Sequence, residues 1–346
     1  MTRIAILACS LTLLAMFACR QQPRQLPAAE RTVKTQATVR PGEPLGRRGD
    51  EIVVCGKLFH TTTPVVLWMD RGGYDAYRVQ RRFAPLDKSS WRLSRAEVRF
   101  LRTPNRYGTR RGLTSTQRQL VRGGGWPLKL LRDKVDQFVI HYDVCGTSRR
   151  CFKVLHDMRG LSVHFMLDID GTIYQTLDLK ERAWHATIAN DRSIGIEIAN
   201  IGAYSPQNVR ILNQWYRKDK NGKPRIKLPK SMGNGGVRTK NFVGRPERGP
   251  LTGVVQGTKL VQYDLTPQQY DALIKLTATL CRVFPKMKCD FPRDEQGQLV
   301  TKKLSRKRWQ KFQGVLGHYH VQPNKVDPGP AFQWERVVRE AKKLMR

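Results

Sequence analysis

The segment GHYHVQPNKVDPG, Gly317 to Gly329, gathers two histidines, a lysine and an aspartate into one stretch that its prolines and glycines keep in loop conformation. Imidazole and carboxylate are the donors of a catalytic zinc site. Such a site takes about three protein ligands and keeps a further corner for water, and two histidines with one carboxylate make a common set. His318 opens the loop, and Asp327 begins the turn Asp-Pro-Gly, where Pro328 fixes the backbone. The third candidate donor lies far upstream, where His141 ends the apolar run QFVIH. Taken singly these residues are ordinary: a histidine after an apolar strand is more often a hydrogen-bonded core residue, and Asp-Pro-Gly by itself is a turn. His60 and His156 carry no comparable signal.

Elements must hold such donors in place, and the chain supplies them. QFVIHY (Gln137 to Tyr142) reads as a buried strand, and LSVHFMLDIDGTIYQTL reads as a hairpin turning at Asp170-Gly171. RSIGIEIAN (Arg192 to Asn200) is another buried strand, with Glu197 as the polar member of an apolar run. A short helix fits between Cys145 and Leu161. TPQQYDALIKLTATLCRVFP is a well-signalled helix: Thr266 caps it, Pro267 takes its first position, Gln269 completes a capping box and Pro285 stops it. Its stripe of Tyr270, Leu273, Leu280 and Phe284 faces a core. Strands followed by a covering helix predict an α/β fold, a mixed central β-sheet flanked by helices. Upstream, EIVVCGKLF and PVVLWM predict a small β-rich N-terminal region at 49–125, which the GGGWP break separates from residues 126–346. Residues 204–262 form a polar, glycine-rich insertion with a hairpin at Asn221-Gly222.

The chain has 346 residues and a formal net charge of +35, from 63 basic against 28 acidic side chains. Nucleic acid is the first partner such a balance suggests. Against it stands the start of the chain, where Arg3 precedes an uninterrupted apolar run from Ile4 to Ala18. That run is too short to span a bilayer comfortably and sits where an export signal belongs, so 1–19 reads as one. The residues before Cys19 resemble a lipoprotein processing box, which leaves lipid anchoring to a membrane at Cys19 and plain cleavage both open. Residues 20–48 are polar, contain proline and read as a tether. An exported chain meets acidic lipid head groups, anionic envelope polymers and carboxylate-bearing peptides before nucleic acid. The expected location is a bacterial cell envelope, periplasmic or membrane-anchored, or the medium beyond it. Export also permits disulfides. Cys145 with Cys151, and Cys281 with Cys289, could each close a short loop and leave Cys55 over; neither pair has the Cys-x-x-Cys spacing of a zinc knuckle.

The ordered series IHY, SVHFMLDIDGTIYQ, AWHA, NDRSIGIEIAN and GHYHVQPNKVDPGPAFQW resembles the zinc-dependent N-acetylmuramoyl-L-alanine amidases of the type 2 amidase family, relatives of the animal peptidoglycan recognition proteins. The resemblance covers roughly Phe138 to Trp334, interrupted by the insertion. It implies a zinc amidase domain over 126–346, acting on the amide between N-acetylmuramic acid and L-alanine of peptidoglycan. It implies zinc ligands at His141, His318 and Asp327, a catalytic carboxylate at Glu197 and a catalytic lysine at Lys325. Trp184, His185, Asn190 and Arg192 are implied to line the cleft and hold the muramyl group or the stem. The spacing of Cys145 and Cys151 resembles a disulfide that the recognition proteins place after their first ligand. The loop from His318 to Asp327 is shorter than in the bacterial members, and of His318 and His320 the preceding glycine selects His318. Some proteins of this fold bind peptidoglycan without cleaving it, which is the rival expectation; a complete set of ligands with Glu197 and Lys325 argues for catalysis.

Overall fold

Short runs of β-branched and aromatic residues build the centre of the molecule. In this computed structural model, which describes residues 41–43, 45–97 and 103–346, they form a six-stranded sheet. Its strands are β1 (Val65–Leu67), β2 (Gln137–Tyr142), β3 (Phe165–Leu167), β4 (Ile173–Gln175), β5 (Ser193–Ile198) and β6 (Gly314–Gly317), in the spatial order β6-β2-β5-β3-β4-β1. Neighbours run parallel except β3 and β4, the expected hairpin, whose turn places Gly171 at φ +85°. The sheet is mixed and helices flank it, as the sequence predicts.

Side chains alternate across the sheet with period two, and this alternation decides where chemistry can sit. Phe138 and Ile140 of β2, with Ile194, Ile196 and Ile198 of β5, are buried in one cluster with α2 (Pro267–Val283) and α3 (Trp334–Met345). Val139 and Leu316 belong to a different cluster with Ala186, Ala189 and Trp309 on the opposite face. His141 follows the parity of Val139, so it points away from α2 and α3. That second face is partly covered by α1 (Ser148–Phe152), which continues as a wider π turn over Lys153–Arg159. α2 starts as expected: the Thr266 hydroxyl accepts from Gln269 N–H at 3.1 Å, and Gln269 Oε1 accepts from Thr266 N–H at 3.0 Å. No helix of the described residues is long and apolar enough to cross a membrane.

The chain divides into units Met1–Gly46 and Arg47–Arg346. The expected export signal 1–19, with Cys19, and most of the tether lie outside the described residues. Within the larger unit the sequence-based boundary near 125 needs correction. β1, from the expected N-terminal region, is an edge strand of the central sheet, and the Gln175 side chain bonds both Val53 N–H and Val53 C=O at 2.8 Å. Burial explains the joining: Val65, Val66 and Leu67 have almost no exposed surface and require the sheet to cover them. The region also contains helices Trp91–Glu97 and Ser115–Gly124. Its Tyr74 stacks on Tyr174 with ring centres 4.3 Å apart, a packing role. The insertion supplies two hairpins, Tyr216–Lys218 with Pro224–Ile226 and Leu251–Val255 with Thr258–Gln262.

The cysteine expectation also changes. The described cysteines are free thiols, with Cys145 beside Cys151 and Cys281 beside Cys289. The fold brings each expected pair together, but oxidation depends on the compartment as well as on proximity.

One buried group makes stability depend on pH. Asp168 is fully buried; its Oδ1 accepts from Ile169 N–H at 2.9 Å, and its Oδ2 has no hydrogen-bond partner among the described residues. Burial, the largest influence, pushes its carboxyl up to about 8 from an ordinary 3.8. A raised folded-state value means that the contribution is full below about 4 and is lost as pH rises through about 8. Asp168→Asn carries no charge at any pH, so its stability relative to the native chain should grow between pH 5 and pH 8 in urea titrations. Parallel curves at both pH values would contradict this.

Candidate metal centre

Register brings the distant residues together. His141 stands opposite Glu197 across β2 and β5, and Gly317 stands opposite Ile140 across β6 and β2, so His318 comes level with His141. Adjacent strands lie about 4.8 Å apart. Three neighbouring strands therefore carry the two histidines and the glutamate on one row at their carboxyl ends, where open α/β sheets place their sites. The loop then returns to bring in Asp327. Tyr319 N–H donates to Asp327 C=O at 3.2 Å, and Gln262 at the end of the insertion donates to Pro328 C=O at 2.9 Å and accepts from Ala331 N–H at 3.0 Å. Gly329 is needed here: its φ is +85°, and a Cβ would lie 2.1 Å from the Gln262 amide oxygen.

His141 Nδ1, His318 Nδ1 and Asp327 Oδ2 lie 3.0 Å from one another on every side of the triangle they form. All three residues are buried, at 2%, 6% and 7% exposure. Tetrahedral donors about 2.0–2.1 Å from a zinc ion lie roughly 3.3 Å apart, so the triangle fits zinc with a slight contraction. The far side of each imidazole supports this fit. His318 Nε2 meets the Gln322 amide oxygen at 2.6 Å; because that oxygen can only accept, Nε2 carries the proton and Nδ1 keeps its lone pair. His141 Nε2 meets His185 Nδ1 at 3.0 Å, and His185 Nε2 meets Ser193 Oγ at 3.2 Å. With both histidines neutral, one proton direction runs from His141 through His185 to Ser193 and again leaves His141 Nδ1 bare. Burial, with the neighbouring His318, lowers the His141 imidazole to about 4, and burial and His141 hold His185 well below its usual range. Burial would raise the Asp327 carboxyl, but the flanking imidazoles outweigh it and hold it below the carboxylate range. Two bare nitrogens and a carboxylate in mutual contact are a donor set for a divalent cation.

The donors open onto a cleft of about 160 Å³ that Glu197, Lys325, Trp184 and His185 also line. Burial raises the Glu197 carboxyl well above its ordinary range, the charges of Asp327 and Asp143 add to this, and Lys325 opposes it. Glu197 Oε2 has no hydrogen-bond partner among the described residues, which leaves it able to take a proton.

The remaining expected residues separate into two groups. Trp184 and His185 are at the cleft, although His185 also braces His141 from behind. Asn190 and Arg192 are not among the residues lining it. Asn190 Oδ1 accepts from Ala186 N–H at 2.7 Å and His185 N–H at 3.2 Å, holding the intervening turn, and Arg192 pairs with Asp136 at 2.5 Å while lying over Trp309. His320 is buried elsewhere: its Nδ1 accepts from Gly317 N–H at 2.8 Å and its Nε2 donates to Val300 C=O at 2.6 Å, which fixes the turn presenting His318. A second acidic group, Asp50, Glu51 and His60, is already satisfied, since Glu51 accepts from Arg48 and Gly49 N–H groups and Asp50 pairs with His60.

Three supporting residues escaped the sequence reading. Gln322 follows His318 by four positions across the turn His318–Val321, a helical spacing that could have revealed it. Gly195 admits the His185 ring, which a Cβ would approach to 2.5 Å. Arg110, 1% exposed, donates to Ser193 C=O at 3.0 Å and Leu179 C=O at 2.8 Å and reaches His164 Nε2 at 3.3 Å; His164 Nδ1 in turn accepts from Gly195 N–H at 3.1 Å. In so basic a chain nothing marked that arginine.

Comparison with known proteins adds a family. The model of a family described as N-acetylmuramoyl-L-alanine amidase matches residues 131–330. Among solved structures, the chain is similar to a complex of the E. coli N-acetylmuramyl-L-alanine amidase AmiD with the substrate anhydro-N-acetylmuramic acid-L-Ala-D-gamma-Glu-L-Lys, at 19% identity and TM-score 0.35, covering 68% of this chain and 65% of that one. A selenomethionine AmpD derivative is similar at 16% identity and TM-score 0.31, covering 68% and 89%. The endolysin amidase LysCS from Clostridium intestinale URNW is similar at 16% and 0.31, covering 62% and 88%. No curated protein matches the chain.

The bonds behind the imidazoles give a direct test. Gln322→Ala and His185→Ala should each weaken zinc affinity about 10–100-fold, measured by competition with a chromophoric chelator. Affinity equal to that of the native chain would remove these residues from the metal centre.

Proposed function

This chain belongs to the N-acetylmuramoyl-L-alanine amidase family, and we propose that it uses zinc to hydrolyse the amide between N-acetylmuramic acid and L-alanine in peptidoglycan stem peptides. The observation that carries the reading is the buried triangle of His141, His318 and Asp327 beside the unpartnered carboxyl of Glu197. Held by those three residues, zinc would polarise the amide carbonyl and bring the pKa of a bound water down toward about 7.

The chain's own groups perform the proton work. Glu197, its affinity for protons raised by burial, accepts a proton from the attacking water and delivers it to the departing amine. Lys325 lines the same cleft and offers its ammonium to the charge developing on the carbonyl oxygen. Trp184 lines the same cleft and offers a flat apolar surface to the substrate, and His185 keeps His141 aimed. A module that only bound peptidoglycan would leave Glu197 and Lys325 without a task, so hydrolysis is the favoured reading.

The setting proposed for this activity is the cell envelope. Residues 1–19 would direct export, ending in lipid attachment at Cys19 or in plain cleavage, and the net charge of +35 would hold the protein near anionic polymers. In that oxidising compartment the neighbouring pairs Cys145 with Cys151 and Cys281 with Cys289 are the ones that would close.

Mass spectrometry of the products released from purified wall sacculi tests both bond and base. The native chain should free intact stem peptides with an L-alanine amino terminus, and Glu197→Gln should lower the rate by about 10²–10⁴-fold. Cleavage at a different bond, or undiminished release by the variant, would overturn the proposal.

A further inference from the structure

Between Glu97 and Asp133 the sequence carries nine cations and no acid. Whatever offsets those charges must come from elsewhere in the fold or from outside it. Four of the arginines surround one space. Arg110 and Arg111, in the loop before helix Ser115–Gly124, and Arg118 and Arg122, on that helix, line a cavity of about 260 Å³ together with Thr109 and Val121. All six precede the matched family segment 131–330, and the amidase reading gives this cavity no task.

The walls are held by bonds that do not use up the cationic heads. Lys134 Nζ donates to the C=O of Gly112, whose φ is +72°, and Asp191 Oδ1 accepts from Arg111 N–H at 2.9 Å. The Thr114 hydroxyl accepts from Gln117 N–H at 3.2 Å and Gln117 Oε1 accepts from Thr114 N–H at 3.0 Å, so the helix start is already capped and a ligand here would be held by side chains. Arg118 and Arg122 stand four positions apart on one helix face, a spacing at which like charges repel. Arg118 donates to Ser115 Oγ at 3.3 Å, which leaves most of its donors unused. Among the described residues none of Arg110, Arg111, Arg118 and Arg122 is in an ion pair, and no aspartate or glutamate lines the cavity.

Arg110 makes a separate demand for an anion. It is 1% exposed; its terminal nitrogens donate to the carbonyls of Asn190 at 3.2 Å, Ser193 at 3.0 Å and Leu179 at 2.8 Å, whereas its buried Nε has no partner among the described residues. Carbonyl dipoles solvate a guanidinium without neutralising it, and a buried charge without a counter-charge is costly. Burial outweighs the pull of Glu181 and Asp191 and lowers Arg110 to about 10. Asp191 already accepts from Arg182 Nε at 2.7 Å. An anion in the cavity would relieve both the repulsion between Arg118 and Arg122 and the isolation of Arg110. Its chemistry follows from the number of cations: one guanidinium fork satisfies a planar carboxylate, whereas the tetrahedral oxygens of a phosphate can accept from several walls at once. A volume below the roughly 300–1,000 Å³ of pockets for larger ligands suits so compact a group.

We propose that this cavity is a binding site for a phosphate group, held by Arg111, Arg118 and Arg122, with Arg110 as the buried charge that the phosphate offsets. The site stands whether or not the chain cleaves peptidoglycan. It differs from the diffuse attraction of a net charge of +35 in being saturable and in depending on particular arginines.

Calorimetry on the full chain with inorganic phosphate, at constant ionic strength set by chloride, tests it. The native chain should bind one phosphate per molecule, and Arg118→Gln/Arg122→Gln should weaken that binding at least about tenfold. Lys302→Gln/Lys303→Gln removes the same charge from exposed positions elsewhere and should leave it in place. Arg111→Gln, on the loop wall, should weaken phosphate as well, a second variant that does not touch the helix. A glycerol phosphate oligomer and phosphatidylglycerol vesicles identify the source: whichever gains more affinity from Arg118 and Arg122 supplies the phosphate, and either outcome upholds the site. Absence of saturable phosphate binding would overturn the proposal, and so would equal weakening by the arginine and lysine double variants, which would reduce the cavity to part of a general positive field.

Discussion

Three electron-rich atoms crowded within 3.0 Å of each other, out of water, set the terms for the rest of this structure. Left alone, two imidazole nitrogens and a carboxylate oxygen would present lone pairs to one another at a place where desolvation makes each uncompensated charge costly. The surrounding bonds do not relieve this crowding; they sustain it. Gln322 accepts from the outward nitrogen of His318, so that ring cannot turn its protonated side inward without giving up a hydrogen bond, and one proton direction through His185 leaves His141 Nδ1 bare as well. A divalent ion resolves the conflict, and the residues behind the rings are arranged as if it were there.

The sheet makes that crowding achievable. Parallel neighbours β6, β2 and β5 put His318, His141 and Glu197 on one row, and the period of two turns that row away from α2 and α3. The helical face can then be wholly apolar while the opposite face holds polar chemistry under α1 and the turn around His185. The insertion and the N-terminal segment work on this second face too: Gln262 props the turn carrying Asp327, and Arg110 braces the strand and histidines behind His141.

Much of this was legible in the sequence because it is local. The capping box of α2, the hairpin at Asp170-Gly171 and the buried strands ending in His141 and holding Glu197 announce themselves within a few residues. What stayed hidden depends on distance. β1 joins the sheet by parallel pairing, which has no turn signal to reveal it, so residues 49–125 looked separate. Asn190 and Arg192 lie close in sequence to Trp184 and His185, yet the strand that starts just after them aims Arg192 at Asp136 and the turn consumes the Asn190 amide.

The central claim is that His141, His318 and Asp327 hold one zinc ion with a solvent molecule in the remaining corner. Zinc K-edge X-ray absorption on the purified protein measures this directly. The account predicts two imidazole nitrogens, one carboxylate oxygen and one solvent oxygen at about 2.0–2.1 Å, with one imidazole lost in His141→Ala. A sulfur shell, an all-oxygen shell, or a spectrum unchanged by that substitution would contradict it.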